Sequence, residues 1–143
     1  MPMRIIGALF VAIGLVVGVH TVVEPLYHVS GEGSPYSPLW TYINPLMALA
    51  IIAGVILGYR RKMALDAEGD DAPVTRAYVA ANALLYGFLF IGILFFFNWF
   101  NYMTPTYTAV GADAMSAIWA LIDAALPLLC LAMGLALWRE ESS

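Results

Sequence analysis

The chain contains two histidines, eight residues apart, with a carboxylate midway between them: His20, Glu24 and His28, in the stretch GVHTVVEPLYH. On one continuous helix, residues four apart step by about 40° around the axis, so all three would project from neighbouring positions on one face. Two imidazoles and a carboxylate are a plausible first ligand set for zinc, iron or copper. Pro25 opposes that alignment, because it cannot donate to the carbonyl of Thr21 and its ring disfavours a helical Glu24. The expectation is that the helix ends here and that the three residues serve interface structure, with the metal site as the runner-up.

A second chemical candidate is Asp123, the one carboxylate well inside an apolar run. On insertion scales an aspartate at the centre of a membrane helix costs about 2.5–3.5 kcal/mol. Such groups usually face protein or a water-filled cavity. Pro127, four residues on, frees the carbonyl of Asp123 and makes the surroundings locally polar. Three roles compete. Asp123 is protonated and hydrogen-bonded to Asn82 across the bundle, or it pairs with a partner subunit, or it relays protons or binds an ion.

The elements that must carry these residues are membrane helices. The chain has 143 residues, 62% of them hydrophobic and 11% charged. A soluble domain carries roughly a quarter charged residues. A spanning helix needs about 20 apolar residues, and four segments qualify: 5–23, 40–59, 78–97 and 114–138. The expected fold is an all-α integral membrane protein, a single domain over 1–143 forming a four-transmembrane-helix bundle. Arg4 before the first apolar run resembles the start of a secretory signal, but the run is long and no A-x-A pattern follows, so a retained span is expected.

All six basic residues fall to one side of these spans: Arg4, Arg60, Arg61, Lys62, Arg76 and Arg139. By the positive-inside rule both termini and Asp70 are expected in the cytoplasm of a cell bounded by the plasma (inner) membrane, with Ser34 and Thr106 outside. Tyr36, Trp40 and Tyr42, and then Trp99, Tyr102 and Tyr107, mark the outer interface, with Tyr59, Tyr78 and Trp138 at the inner one. The inner connection RRKMALDAEGDDAPVTR is charged, and Pro73 is placed to start the third helix. The outer connections, EPLYHVSGEGSPYSPL and NWFNYMTPTYTAVGAD, are too apolar to be simply solvated. They are expected to pack on each other or on another protein.

Small residues recur at four-residue spacing: Gly14 and Gly18 with Gly7, then Ala50, Gly54 and Gly58, then Ala83 and Gly87, then Ala120 and Ala124. They permit close backbone approach, which drives helix association in lipid. The first expectation is packing inside the bundle, and the second a docking face for a neighbouring subunit. The phenylalanine-rich third span, with Phe88, Phe90, Phe95, Phe96, Phe97 and Phe100, is apolar on several faces. It could wall a lipid or quinone groove, although no polar groups converge on it.

No hydrolase elbow, HExxH pair, phosphate loop or haem attachment pattern occurs. The lone Cys130 excludes an intrachain disulfide, and no basic cluster suits nucleic acid. The partners expected are the lipid bilayer and other integral membrane subunits. The function expected is that of a small non-catalytic accessory subunit of a larger complex, a respiratory or monooxygenase-type oxidoreductase being one natural host. The alternative is a small membrane redox or metal-handling protein using His20, Glu24 and His28. No cofactor is expected, with a metal ion or a bound lipid or quinone as the minor possibilities.

Overall fold

The computed structural model describes residues 3–67, 69 and 72–140. Asp70, one of the positions used above to define sidedness, lies outside them. Four helices make up the architecture: α1 (Met3–Tyr27), α2 (Trp40–Asp66), α3 (Arg76–Met103) and α4 (Ala112–Glu140). All four are long and apolar enough to cross a membrane. Among the described residues the only extended pairing is an isolated bridge between Gly31 and Ser34. There the chain turns through Gly33, whose φ of +86° is a left-handed conformation that glycine adopts freely.

The helices overrun the apolar runs in sequence. At 1.5 Å per residue they are about 38–44 Å long, against a hydrocarbon core of about 30 Å, so their ends reach headgroup depth. The largest departure is in α1, which continues through Pro25 to Tyr27, with His28 N donating to Glu24 O at 2.9 Å. Proline removes one bond of the ladder, but the turns on either side keep theirs. The expected break at Glu24 is therefore corrected. Pro73 does not open α3 either. Thr75 caps that helix by accepting from Tyr78 N at 3.2 Å, and the proline stays in the connection.

Two antiparallel pairs, α1 with α4 and α2 with α3, are joined chiefly where α3 meets α4. The α1–α4 seam is closed by glycine. A Cβ placed on Gly7 would stand 2.8 Å from the carbonyl oxygen of Gly134, and one on Gly134 only 2.6 Å from that of Gly7. Gly14 lies against the Pro127 carbonyl, while a Cβ on Gly18 would make ordinary contact with the Pro127 ring at 3.4 Å. In the other pair Gly54 accepts the ring of Phe88, and Gly58 faces the Cα of Leu85. Gly14, Gly54 and Gly58 are thus packed within the bundle and Gly18 borders it, whereas Ala83, Ala120 and Ala124 of the other stripes are exposed.

The core between the pairs contains Val17, Met47, Ile51, Phe88, Ile91, Phe95, Ile122, Leu126, Met133 and Leu137, all essentially inaccessible. Leu9, Leu15, Val19, Leu49, Ile56, Phe90, Ile93, Leu128 and Leu135 point outward instead. That arrangement fits a lipid surround, where apolar side chains need no burial in protein.

Candidate functional site: a polar layer at the basic-free end

The connections 28–39 and 104–111 lie at the end of the bundle that lacks Lys and Arg, opposite the end holding Arg61–Glu140 and Lys62–Asp66. The buried polar residues among those described are His20, Ser37, Asn98, Asn101 and Asp123. All of them occupy the half of the bundle nearer this basic-free end. Prolines interrupt α1, α2 and α4 at Pro25, Pro45 and Pro127. Each lacks an N–H, so each withholds the usual helical donor from the carbonyl four residues earlier, at Thr21, Thr41 and Asp123.

Glu24 organises one side of the layer. Its Oε1 accepts from Ser37 N at 2.6 Å and its Oε2 from the Trp40 indole Nε1 at 2.8 Å. The carboxylate therefore pins the α1–α2 connection to the start of α2. His20, one turn below, stands edge-on to the Trp40 ring with centroids 4.5 Å apart. Its Nε2 lies 2.6 Å from the Tyr27 hydroxyl, which donates to Ser37 Oγ at 2.9 Å. The phenol has one proton and directs it to Ser37, so the network assigns the imidazole proton to Nε2. His20 Nδ1 is then a bare lone pair, buried and without a partner.

His28 is elsewhere. It follows the end of α1 and places its Nε2 3.2 Å from the Ser34 carbonyl in the exposed connection. His20 and Glu24 thus share Trp40 as a neighbour, while the His28 side chain contacts neither of their partners. Among the described residues no three His, Cys, Asp or Glu side chains are grouped to hold a metal ion.

Asp123 is buried on α4 with Oδ1 unpartnered. Asn82 does not reach it, because its amide donates to Tyr78 O of its own helix at 2.9 Å. The register explains why. Gly87 packs on Leu129; Asn82 lies five residues toward the basic end and Asp123 six residues the other way. Along the axes that is about 16 Å of separation. The hydrogen bond expected between them is corrected.

Asn98 and Asn101, which the sequence assigns to the α3–α4 connection, are buried on the last turns of α3. Their amide groups donate to Met115 O at 3.0 Å and Phe97 O at 2.9 Å. Asn98 Oδ1 has no partner. Tyr27 could have been found from its spacing, since it follows His20 by seven residues, two helical turns. Ser37 and the two asparagines carry no such signal, because only the path of the connections brings them in. Tyr36 ties the same connection to α4 through Ser116 Oγ, 2.6 Å away.

The phenylalanine face divides. Phe88 and Phe95 are fully buried, while Phe90, Phe97 and Phe100 are exposed. Beside them an apolar groove of about 400 Å³ runs between α2 and α3, lined by Ile52, Val55, Phe88, Leu89, Gly92 and Phe96 among others. Nothing in that lining supplies a polar anchor for a quinone headgroup. Comparison with protein-family models, characterised proteins and solved structures gives no match for this chain.

Proposed function

We propose that the chain is a small non-catalytic accessory subunit of a larger complex in the plasma membrane, with both termini cytoplasmic and the polar layer toward the outside. The observation that carries this reading is a contrast at the basic-free end. His20, Glu24, Tyr27, Ser37, Asn98 and Asn101 there bond to one another, to Trp40 or to the local backbone, while several large apolar side chains face out. Leu26 is 84% exposed, Val29 90% and Tyr42 74%. Leu39, Tyr102, Met103 and Tyr107 are exposed as well. These positions sit at or beyond the helix ends, where lipid tails give way to water, so another integral membrane protein is the natural cover. A respiratory or monooxygenase-type oxidoreductase remains the class of host proposed.

Gentle extraction of a C-terminally tagged chain, followed by native mass measurement, tests the reading. The expected species is larger than the 143-residue chain with its detergent, and the double change Leu26→Ser with Val29→Ser should release the chain as a folded monomer. A wild-type chain that is monomeric under every mild extraction overturns it. Orientation is read separately, by impermeant thiol labelling of Ser34→Cys, Thr106→Cys and Asp70→Cys in intact cells. Cys130 is fully buried, so it need not be removed first. Labelling at 70 but not at 34 reverses the assignment.

A further inference from the structure

Two recesses lie along the seam between α2 and α3, away from the polar layer. One is the apolar groove of about 400 Å³ beside Ile52, Val55, Ile56, Leu89 and Phe96. The other, of about 420 Å³, opens at the basic end where α2 finishes and α3 starts, lined by Lys62, Asp66, Thr75 and Tyr78 among others. Gly54 against Phe88 and Gly58 against Leu85 fix the antiparallel register of the pair. At 100° per residue, Val55, Tyr59, Lys62 and Asp66 share one face of α2, and Phe96, Leu89, Asn82 and Tyr78 share one face of α3. The groove and the polar recess draw on these same two faces. They are therefore in line, on one side of the seam.

Depth separates them. The groove spans the midpoints of α2 and α3. Lys62 lies six residues beyond Ile56 and ten beyond Ile52, about 9 and 15 Å along the axis. Half of the hydrocarbon core is also about 15 Å. The groove thus sits at the depth of an acyl chain whose headgroup is level with the polar recess. Tyr59 and Tyr86, each more than half exposed, occupy the levels between, where amphipathic rings are favoured.

The groove suits a hydrocarbon chain better than a helix. Ile52, Ile56, Leu89 and Ile93 stand exposed along it, and Gly92, the small residue of its lining, is buried under Ile51. Close helix docking needs small side chains on the contact surface. A single flexible chain fits between branched ones.

The polar recess presents both signs of charge. Lys62 and Asp66 are paired with each other, and both line it. The α3 N-terminus opens onto the same recess, where Thr75 takes the Tyr78 N–H and the positive helix end favours a phosphate.

We propose that this side of the α2–α3 seam binds one phosphatidylethanolamine. Its phosphate meets Lys62 and the start of α3, its ammonium meets Asp66, and one acyl chain follows the groove. Phosphatidylglycerol brings the same phosphate with no cation for Asp66, and a choline head has no N–H to donate. The site is independent of whether the chain works as an accessory subunit.

The test gives the purified, delipidated full chain equal amounts of palmitoyl-oleoyl phosphatidylethanolamine and the matching phosphatidylglycerol, with bound lipid read by native mass spectrometry. The wild type should retain one phosphatidylethanolamine per chain, several-fold over phosphatidylglycerol. Asp66→Asn should remove that preference, and Lys62→Gln should weaken both lipids several-fold. Val55→Phe fills the groove at a distance from the polar recess and should also lower retention of both several-fold. Should that variant not fold, dihexanoyl phosphatidylethanolamine on the wild type replaces it, because its tails stop short of the groove and it should be held several-fold more weakly. Equal retention of the two long-chain lipids by the wild type overturns the proposal. So does a preference that survives Asp66→Asn, or retention indifferent to Lys62→Gln or to groove filling and tail length, since the lipid is then merely annular.

Discussion

The two ends of the α1–α4 seam are built on opposite terms. Toward the basic end, Gly7 and Gly134 bring backbone against backbone, and no buried polar side chain lies among their neighbours. Toward the other end the glycines give way to Pro25 and Pro127, and His20, Glu24 and Asp123 appear. Close helix contact leaves no room for a side chain, polar or otherwise, and gains its stability from packing alone. Proline loosens the backbone ladder and leaves oxygens that need partners. One half of the seam is therefore made to hold, and the other to accommodate polar groups.

This contrast breaks most visibly at its tight end. Gly134→Leu should abolish recovery of monodisperse protein, because even a Cβ there would stand 2.6 Å from the Gly7 carbonyl. Gly18→Ala should be tolerated, since its added methyl meets the Pro127 ring at 3.4 Å. Size-exclusion profiles of the two variants compare them directly, and equal behaviour would show that the seam is not graded. Glu24→Ala comes next. It removes the acceptor for Ser37 N and Trp40 Nε1, each a charge-assisted bond, for an expected loss of about 3 kcal/mol in reversible micelle unfolding. A loss below about 0.5 kcal/mol, the range of ordinary surface changes, would mean that the connection is held by other contacts.

A third measurement sharpens the chemical side of the comparison. Purified without chelator, the wild type and His20→Ala should carry equal and substoichiometric zinc, copper and iron. Near one metal per chain, lost in the variant, would instead favour the metal-handling reading and require His20, Glu24 and His28 to rearrange toward one another. The smallest effect belongs to Tyr36→Phe. It deletes an exposed hydroxyl contact with Ser116 and should change stability by no more than about 0.5 kcal/mol.

The helices were legible because their signal is coarse. Four long apolar runs, separated by connections rich in charge or proline, permit little else. The glycine spacing of α1 and α2 was legible for the same reason, whereas α4 makes its close contact at Pro127 and Gly134 and leaves Ala120 and Ala124 exposed. The polar layer was only half readable. His20, Glu24 and Asp123 stood out by residue type, but Glu24 finds its partners through a connection whose fold depends on Gly33 and on where Ser37 returns. Pro25 pointed the wrong way. Its local preference against helix was outweighed by the turns around it and by the contacts of Tyr27 two residues later. The expectation for Asn82 and Asp123 failed on register, which hydropathy does not encode.

The pairing of α1 with α4 also governs how the protein must be made. The first helix leaves the ribosome more than a hundred residues before its partner does, roughly ten seconds at ordinary elongation rates. During that interval Gly7 and Gly14 have no partner helix to close against. A chain truncated before α4 would keep three apolar segments able to enter the bilayer, yet its leading segment would stay unmated. Arrival of the last helix is thus the step that completes the α1–α4 seam.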